Sequence, residues 1–315
     1  MTASILGLHH VTATVADAQD DLDFSLGALG LRLLKKTINF DNPSVYHFYY
    51  GSETGAPGTI WTTFPYKGWG VPVGAKGAGQ ITATGFSVPA GSLGFWTERL
   101  RRSSLEVEPL PPRFGEDRIG VRDASGLAFE LVAGERDLRP PWSRGGVDPA
   151  AAVRGLASVS LLVRSPDATL ELLTGLLGWH VVGEDEERIR VAVAGGAPGQ
   201  VLDVIAAADA APGVNGLGTV HHVAMAVSDG AEQRRLRQEL IELGYRVTEV
   251  LDRNYFQSIY FREPGGVLFE LATVQPGFTV DEPLDQLGNA LKLPAWEEPN
   301  RERIEAALPR ISTPP

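Results

Sequence analysis

Two pairs of adjacent histidines, one near each end of the chain, are the residues whose types and spacing could do chemistry. They are His9-His10 and His221-His222, and they hold four of the six histidines. In each pair an apolar residue precedes the histidines, and a run follows in which larger apolar residues alternate with small or polar ones. Imidazole binds divalent metals and exchanges protons near neutral pH. The repetition therefore indicates one site built from both ends of the chain.

The elements around these pairs repeat four times. Segments of the same alternating pattern begin at Leu8, Ile81, Leu156 and Val220, and this alternation is typical of half-buried strands. A stretch with helical spacing follows each opening strand, then short β-rich runs, then a Gly-containing turn and an apolar strand. We therefore predict an α+β fold of four βαβββ modules, whose open faces need partners.

The length of the chain, 315 residues, favours two domains. A segment rich in Pro and Gly at 133–152 separates the second module from the third. The sequence thus predicts an N-terminal pair of modules at 1–140, a C-terminal pair at 153–275 and a tail at 276–315.

Aligning the four modules isolates a candidate metal site. The position of the second histidine holds, in chain order, His10, Ala83, Ser158 and His222. The position of the closing-strand acid holds Thr62, Glu130, Asp203 and Glu270. If the first and fourth modules pair, they present two imidazoles and one carboxylate, which is the facial triad of non-haem Fe(II) oxygenases. Because Thr62 is a poor metal ligand, it would leave a coordination position free for water, substrate or dioxygen, as a catalytic site needs.

Other acids and histidines are expected to have ordinary roles. Glu130 and Asp203 occupy the acid position in modules that have no histidine pair, so we interpret both as structural. His47 and His180 have no matching partner in another module, and we expect solvated or hydrogen-bonded side chains there.

Composition narrows the class of protein. Lys and Arg number 28 against 39 Asp and Glu, a formal net charge of −11 at pH 7, which argues against binding to nucleic acid or anionic membranes. The absence of cysteine excludes disulfides, thiolate zinc sites, iron–sulfur clusters and a cysteine nucleophile. Neither a secretory signal nor an apolar run of about 18 residues is apparent, so we expect a soluble cytoplasmic protein.

The histidine pairs and the last closing strand resemble the vicinal oxygen chelate superfamily, and more narrowly its hydroquinone ring-cleaving dioxygenases. The resemblance covers nearly the whole chain. Its segments are 8–12, 30–37, 62–65, 220–223, 252–254, 264–270, 276–282 and 291–294. Two histidine pairs followed by one glutamate are specific to this branch, because most extradiol catechol dioxygenases take all three ligands from their C-terminal half. The resemblance implies mixed and antiparallel curved sheets that form open barrels.

The resemblance also implies an activity and a site. The activity is metal-dependent insertion of O2 into a hydroquinone, a 1,4-dihydroxybenzene, by an extradiol-like reaction on a small aromatic substrate, with homo-oligomerisation left open. The implied ligands of Fe(II), with Mn(II) as the alternative ion, are His10, His222 and Glu270. Further site residues implied are His9, Thr12, His221, Arg253 and Tyr260. Among these, His221 is the candidate acid or base, whereas Tyr260 and Arg253 would hydrogen-bond oxygens of the reacting molecules.

One conflict arises between pattern and resemblance. Regular strand alternation places His9 and His221 on the face away from the metal ligands, whereas the resemblance assigns them to the site. The two agree only if the strand ends twist.

Three alternative functions stay open. A glyoxalase-like isomerase or lyase usually holds its metal with four protein ligands, so Thr62 counts against it. A catechol extradiol dioxygenase would use the same chemistry on a different ring. A metal-free protein that binds an aromatic compound or drug has no need for three convergent ligands.

Overall fold

The computed structural model describes residues 5–135 and 137–313. The strands are β1 (Gly7–Val15), β2 (Arg32–Asn39), β3 (Asn42–Gly51), β4 (Ile60–Pro65), β5 (Gln80–Pro89), β6 (Val107–Arg113), β7 (Glu116–Arg122), β8 (Ala128–Gly134), β9 (Gly155–Val163), β10 (His180–Asp185), β11 (Arg188–Ala192), β12 (Val201–Ala206), β13 (Thr219–Val227), β14 (Leu251–Asp252), β15 (Phe256–Arg262) and β16 (Leu268–Pro276). The α-helices are α1 (Ala18–Leu22), α2 (Leu93–Arg102), α3 (Asp167–Glu171), α4 (Gly230–Glu242) and α5 (Arg301–Ala307). Two π-helical turns continue α1 and α3, at Asp23–Ala28 and Leu172–Leu176, and the short 3-10 helices are Phe278–Val280, Leu284–Gln286 and Glu298–Asn300. Within these residues, no helix has the length and apolar character needed to cross a membrane.

The strands form two sheets of eight. One has the order β14-β15-β16-β13-β1-β4-β3-β2, and the other has the order β10-β11-β12-β9-β5-β8-β7-β6. Each set of four strands with its helix is one βαβββ module, so the α+β prediction with four modules in curved, open sheets is confirmed.

The modules pair in the order one with four and two with three. The first strands of the paired modules meet edge to edge, β1 against β13 and β5 against β9, both antiparallel. This arrangement satisfies the open edge of each opening strand, which would otherwise expose unpaired backbone groups. Each sheet therefore contains one module from 1–140 and one from 153–275. The predicted division of the chain into these two domains stays a proposal.

Both central strand pairs contain the same two β-bulges. In the pairing of β1 with β13, His9 and His221 are extra residues without an opposite partner. In the pairing of β5 with β9, the equivalent residues Thr82 and Ala157 are extra in the same way. Because the bulges also occur in modules without histidine pairs, they belong to the backbone plan of the fold.

Aromatic side chains join the two sheets. Trp61 of β4 lies with its ring centroid 5.1 Å from that of Phe129 in β8, and Phe129 stacks on Phe86 of β5 at 5.9 Å. Phe24, in the turn after α1, lies 5.0 Å from Phe129. These rings are buried at the centre of one continuous hydrophobic core. The first sheet is thus held against the second by packing on one face, which leaves its other face available for a site.

The tail after β16 packs on the first sheet. The ammonium of Lys35 in β2 is fully buried and lies 2.6 Å from a carboxylate oxygen of Asp281 and 2.5 Å from one of Glu282. The ring of Phe278 lies 5.2 Å from that of Tyr49 in β3. The tail therefore holds β2 and β3 of the first module in place.

Asp21 in α1 is a buried carboxyl whose contribution to stability depends on pH. It accepts hydrogen bonds from Tyr50 at 2.6 Å and Thr63 at 2.5 Å. Burial raises its pKa from 3.8 to about 7, and these two hydrogen bonds oppose the rise. A raised folded-state pKa stabilises the fold fully below the unfolded value, and this contribution is lost as the pH rises through the folded value.

We therefore expect Asp21 to lower the free energy of unfolding as the pH rises from about 4 to about 7. The variant Asp21→Asn should show a smaller decrease over this interval, because the amide does not ionise. Urea unfolding of both proteins at a series of pH values measures the difference. Parallel curves for the two proteins would contradict the assignment.

Candidate metal centre

Three buried side chains of the first sheet converge on one point. Nε2 of His10 in β1 lies 3.2 Å from Nε2 of His222 in β13 and 3.2 Å from Oε2 of Glu270 in β16. Nε2 of His222 lies 2.9 Å from the same carboxylate oxygen. The structure thus brings together the three side chains that the aligned modules single out, and they form a candidate metal-binding group.

The register of three neighbouring strands explains this convergence. Ala224 of β13 stands opposite His10 on one side and opposite Glu270 on the other. His222 precedes Ala224 by two residues and therefore shares its face of the sheet. Pairing of the first module with the fourth is the step that places these side chains side by side.

The donor set and its spacing fit a divalent metal. Ligand atoms about 2.1 Å from one ion lie about 3.0 Å apart at right angles, as in a facial triad, and about 3.4 Å apart in a tetrahedron. The observed separations of 2.9 to 3.2 Å fit the facial arrangement. Oε1 of Glu270 accepts a hydrogen bond from Ser258 at 2.5 Å, whereas Oε2 is buried and has no hydrogen-bond donor among the described residues. A cation between the three side chains would satisfy this oxygen.

The ionisation of these groups also suits a metal. Burial opposes the charge of Glu270, but the adjacent imidazoles of His10 and His222 outweigh it and hold the pKa of the carboxyl well below its usual range. Burial lowers the pKa of His222, although Glu270 opposes the shift. An ionised carboxylate beside a neutral imidazole is the protonation state in which such side chains bind metals.

His9 and His221 lie against the two ligand histidines rather than on the opposite face. Nδ1 of His9 is 2.9 Å from Nδ1 of His10, and Nδ1 of His221 is 2.7 Å from Nδ1 of His222. Each of the two is the extra residue of a β-bulge, which takes it out of the regular alternation. The bulges resolve the conflict that the sequence left between alternation and resemblance, and a twist of the strand ends is not needed.

The contacts between the Nδ1 atoms also bear on the tautomers of the four histidines. If Nε2 of a ligand histidine faces the site with its lone pair, its proton is on Nδ1 and is donated to the adjacent histidine. Burial, reinforced by the neighbouring ligand histidine, lowers the pKa of both His9 and His221 to about 3. Both are therefore neutral at physiological pH, and in that arrangement each accepts at Nδ1 and carries its own proton on Nε2.

A cavity of about 390 Å³ opens beside the three converging side chains. Its lining is His10, Thr12, Thr14, Asn39, Phe40, Asp41, His47, Tyr49, Phe64, Tyr66, His221, His222, Thr248, Leu251, Arg253, Phe256, Tyr260 and Leu268. Four of the five further residues that the resemblance implies are in this lining: Thr12, His221, Arg253 and Tyr260. The fifth, His9, is not; its ring lies 4.8 Å from that of Phe256 and behind His10.

Arg253 and Tyr260 act as a pair. Nε of Arg253 donates to the hydroxyl of Tyr260 at 3.3 Å, and the guanidinium lies 5.3 Å from the Tyr260 ring centre. Burial raises the pKa of the Tyr260 phenol, so the phenol stays protonated. The Tyr260 ring stands 5.5 Å from that of His222. Two hydrogen-bond donors therefore face the cavity next to the candidate metal ligands.

The sequence interpretation missed His47, which lines the cavity. Its Nε2 lies 2.9 Å from the hydroxyl of Thr62, and that hydroxyl lies 2.8 Å from the hydroxyl of Thr12. One signal could have found it: alternation along β3 puts His47 and Tyr49 on the same face, opposite to the core residue Phe48. His180 is exposed, as expected of a solvated side chain.

Arginines occupy the equivalent place in the second sheet. Glu130 pairs with Arg113 at 2.9 Å and with Arg118 at 2.8 Å. Asp203 is fully buried and pairs with Arg190 at 2.7 Å. Both acids are thus neutralised by side chains of their own sheet, in keeping with their structural interpretation.

Sequence and structure comparisons with known proteins both find dioxygenases or their superfamily. Residues 155–271 match the sequence model of the Glyoxalase/Bleomycin resistance protein/Dioxygenase superfamily. The chain is 43% identical to a Bacillus subtilis protein named "Putative ring-cleaving dioxygenase MhqE", over 97% of this chain and 99% of that one. It is 37% identical to the chlorohydroquinone/hydroquinone 1,2-dioxygenase of Sphingobium indicum, over 98% and 96% of the two chains. The crystal structure of a Bacillus subtilis protein described as a "putative dioxygenase" superposes with a TM-score of 0.94 at 39% identity, covering 99% of both chains.

Proposed function

Because this chain belongs to the glyoxalase/bleomycin resistance/dioxygenase superfamily and to the ring-cleaving dioxygenases within it, we propose that it opens the ring of a hydroquinone with O2. The ions proposed for its centre are Fe(II) or, with the same ligands, Mn(II). The observation that carries the proposal is the convergence of His10, His222 and Glu270 at the wall of the cavity.

The cavity suits a single aromatic ring with polar substituents. Phe40, Phe64, Phe256, Leu251 and Leu268 supply apolar surface for the ring. Such a lining with a few placed polar groups is the usual construction of a small-molecule site. Bound at the three ligands, the metal would supply Lewis acidity and a path for electrons between the ring and O2.

The protein's own residues would hold and orient the reacting molecules. Arg253 and Tyr260 present donors beside the ligands and would hydrogen-bond an oxygen of the substrate or of O2. In the tautomer that leaves Nε2 of His222 free for the metal, His221 accepts from His222 through Nδ1 and carries its own proton on Nε2. His221 would then act on a reacting oxygen as a neutral hydrogen-bond donor, because loss of the proton itself would leave an imidazolate.

Anaerobic loading with Fe(II), followed by oxygen-uptake measurements with hydroquinone, tests the proposal. We expect one O2 consumed per ring opened with hydroquinone and slower uptake with catechol. Faster turnover of catechol would favour the catechol dioxygenase. Metal binding without oxygen uptake on any phenol would favour the isomerase, and purified protein that takes up no metal would favour the metal-free binding protein.

Removing the phenol of Tyr260 tests its role. We expect Tyr260→Phe to retain the wild-type metal content and to lower kcat by about 10- to 100-fold, because one hydrogen bond to a charged oxygen is lost. Steady-state oxygen uptake and metal analysis check this. The same substitution at Tyr245, a half-buried tyrosine packed on Phe261 outside the cavity, is the control. Wild-type rates for Tyr260→Phe would remove it from the reaction.

A further inference from the structure

A chain of three polar groups runs from the wall of the cavity to the candidate metal ligands. It starts at the imidazole of His47, passes through the hydroxyl of Thr62 and ends at the hydroxyl of Thr12. Thr62 and Thr12 are fully buried and stand opposite each other on β4 and β1. Thr12 also stands opposite His222 on β13. Thr12, the last of the three hydrogen-bonded groups, therefore lies beside a candidate metal ligand and lines the cavity.

The tautomer of His47 decides which way the chain donates. A hydroxyl has one proton to donate, and a neutral imidazole has one N–H. If Nε2 of His47 carries the proton, it donates to Thr62, Thr62 donates to Thr12, and the proton of Thr12 is left for the cavity. If Nδ1 carries it, every bond reverses, and Thr12 presents only lone pairs to the cavity.

We propose that His47 is a positioning residue that, through Thr62, directs the Thr12 hydroxyl to donate to the substrate oxygen at the metal. This inference rests on the proposed function. Neither the sequence pattern nor the resemblance gave His47 a role in the site.

The surroundings of His47 favour the required tautomer. Nε2 is directed at Thr62, so Nδ1 is the nitrogen left for the cavity. Burial, reinforced by His10, His222 and Arg253, holds the pKa of His47 well below its usual range, although Glu270 opposes the shift, so His47 is neutral. The guanidinium of Arg253 lines the same cavity, and its positive charge attracts a lone pair on Nδ1 and would repel an N–H there. A neutral His47 with its proton on Nε2 follows.

Replacing Thr62, the middle of the three hydrogen-bonded groups, tests the proposal. We expect Thr62→Val, which has nearly the same shape, to weaken the anaerobic binding of hydroquinone to the metal-loaded protein about tenfold, with unchanged metal content. KM should rise by a similar factor and kcat should change less. Thr62→Ser keeps the hydroxyl and should bind within about twofold of the wild type. Thr63→Val is the matched control on the same strand, because Thr63 bonds to Asp21 instead.

Nuclear magnetic resonance tests the tautomer directly. In the diamagnetic Zn(II)-loaded protein, long-range proton–nitrogen spectra distinguish a protonated Nε2 from a protonated Nδ1, and the signals missing from His47→Gln identify His47. We expect the Nε2–H tautomer both with and without hydroquinone.

The outcomes separate this inference from the proposed function. An Nδ1–H tautomer, or hydroquinone binding by Thr62→Val as tight as by the wild type, would overturn the role of His47 even in an active dioxygenase. If the wild type does not bind or turn over hydroquinone, the proposed function fails instead. The tautomer of His47 can still be read in that case.

Discussion

Replacing His222 with alanine is expected to abolish tight metal binding and to lower ring-cleaving activity by more than about 100-fold, the upper cost of losing even an outer-shell partner of a metal ligand. His222 is one of only two imidazoles among the three converging side chains, and its loss leaves His10 and Glu270 as a two-ligand site. Removing one buried ligand costs affinity directly and also leaves the carboxylate with one partner fewer. Metal content after Fe(II) loading and gel filtration, together with oxygen uptake, measures both effects.

The fold should survive this substitution. β13 is held by β1 and β16 on its two sides, so its backbone pairing does not depend on the His222 side chain. Circular dichroism should show the wild-type spectrum. His180→Ala is the matched control, because His180 is an exposed histidine in β10. A His222→Ala protein that binds metal and consumes O2 at the wild-type rate would refute the ligand assignment.

Replacing Asp203 with asparagine is expected to do the opposite, lowering stability while leaving turnover intact. Asp203 is fully buried and lies 2.7 Å from Arg190, 3.5 Å from Arg188 and 3.6 Å from Arg113. Losing its charge leaves buried guanidinium groups uncompensated, which costs about 3 to 5 kcal/mol. For a protein of this size we expect Tm to fall by about 5 to 8 °C.

Thermal unfolding and oxygen uptake at a temperature where both proteins are folded separate the two effects. Asp209→Asn is the control, because Asp209 is an exposed acid in the loop that follows β12. A folded Asp203→Asn protein without activity would show that the second sheet takes part in the chemistry. Its structural interpretation would then be wrong.

These two predictions contrast two sheets built on one plan. The acid position of the first sheet holds Glu270, which faces two imidazoles, whereas the acids Glu130 and Asp203 of the second sheet face arginines. The same backbone therefore supports a candidate metal centre on one side of the molecule and an ion-pair network on the other. The chemistry is decided by a few side chains at equivalent positions.

The sequence by itself determined the modules and the candidate ligands. Alternation and helical spacing are local properties, so the four βαβββ modules could be predicted from neighbouring residues alone. Repetition then identified His10, His222 and Glu270, because equivalent positions in a repeated unit occupy equivalent places in the fold.

Only the tertiary structure decided which modules pair and which further residues face the cavity. Strand edges are interchangeable at the level of local pattern, and the pairing of β1 with β13 depends on packing of the whole chain. The bulges at His9 and His221 are register shifts between two strands, and no single strand shows them. His47 joins the site because β3 lies beside β4, which brings it within reach of Thr62. Register between distant strands is a property of the pair and cannot be read from either sequence alone.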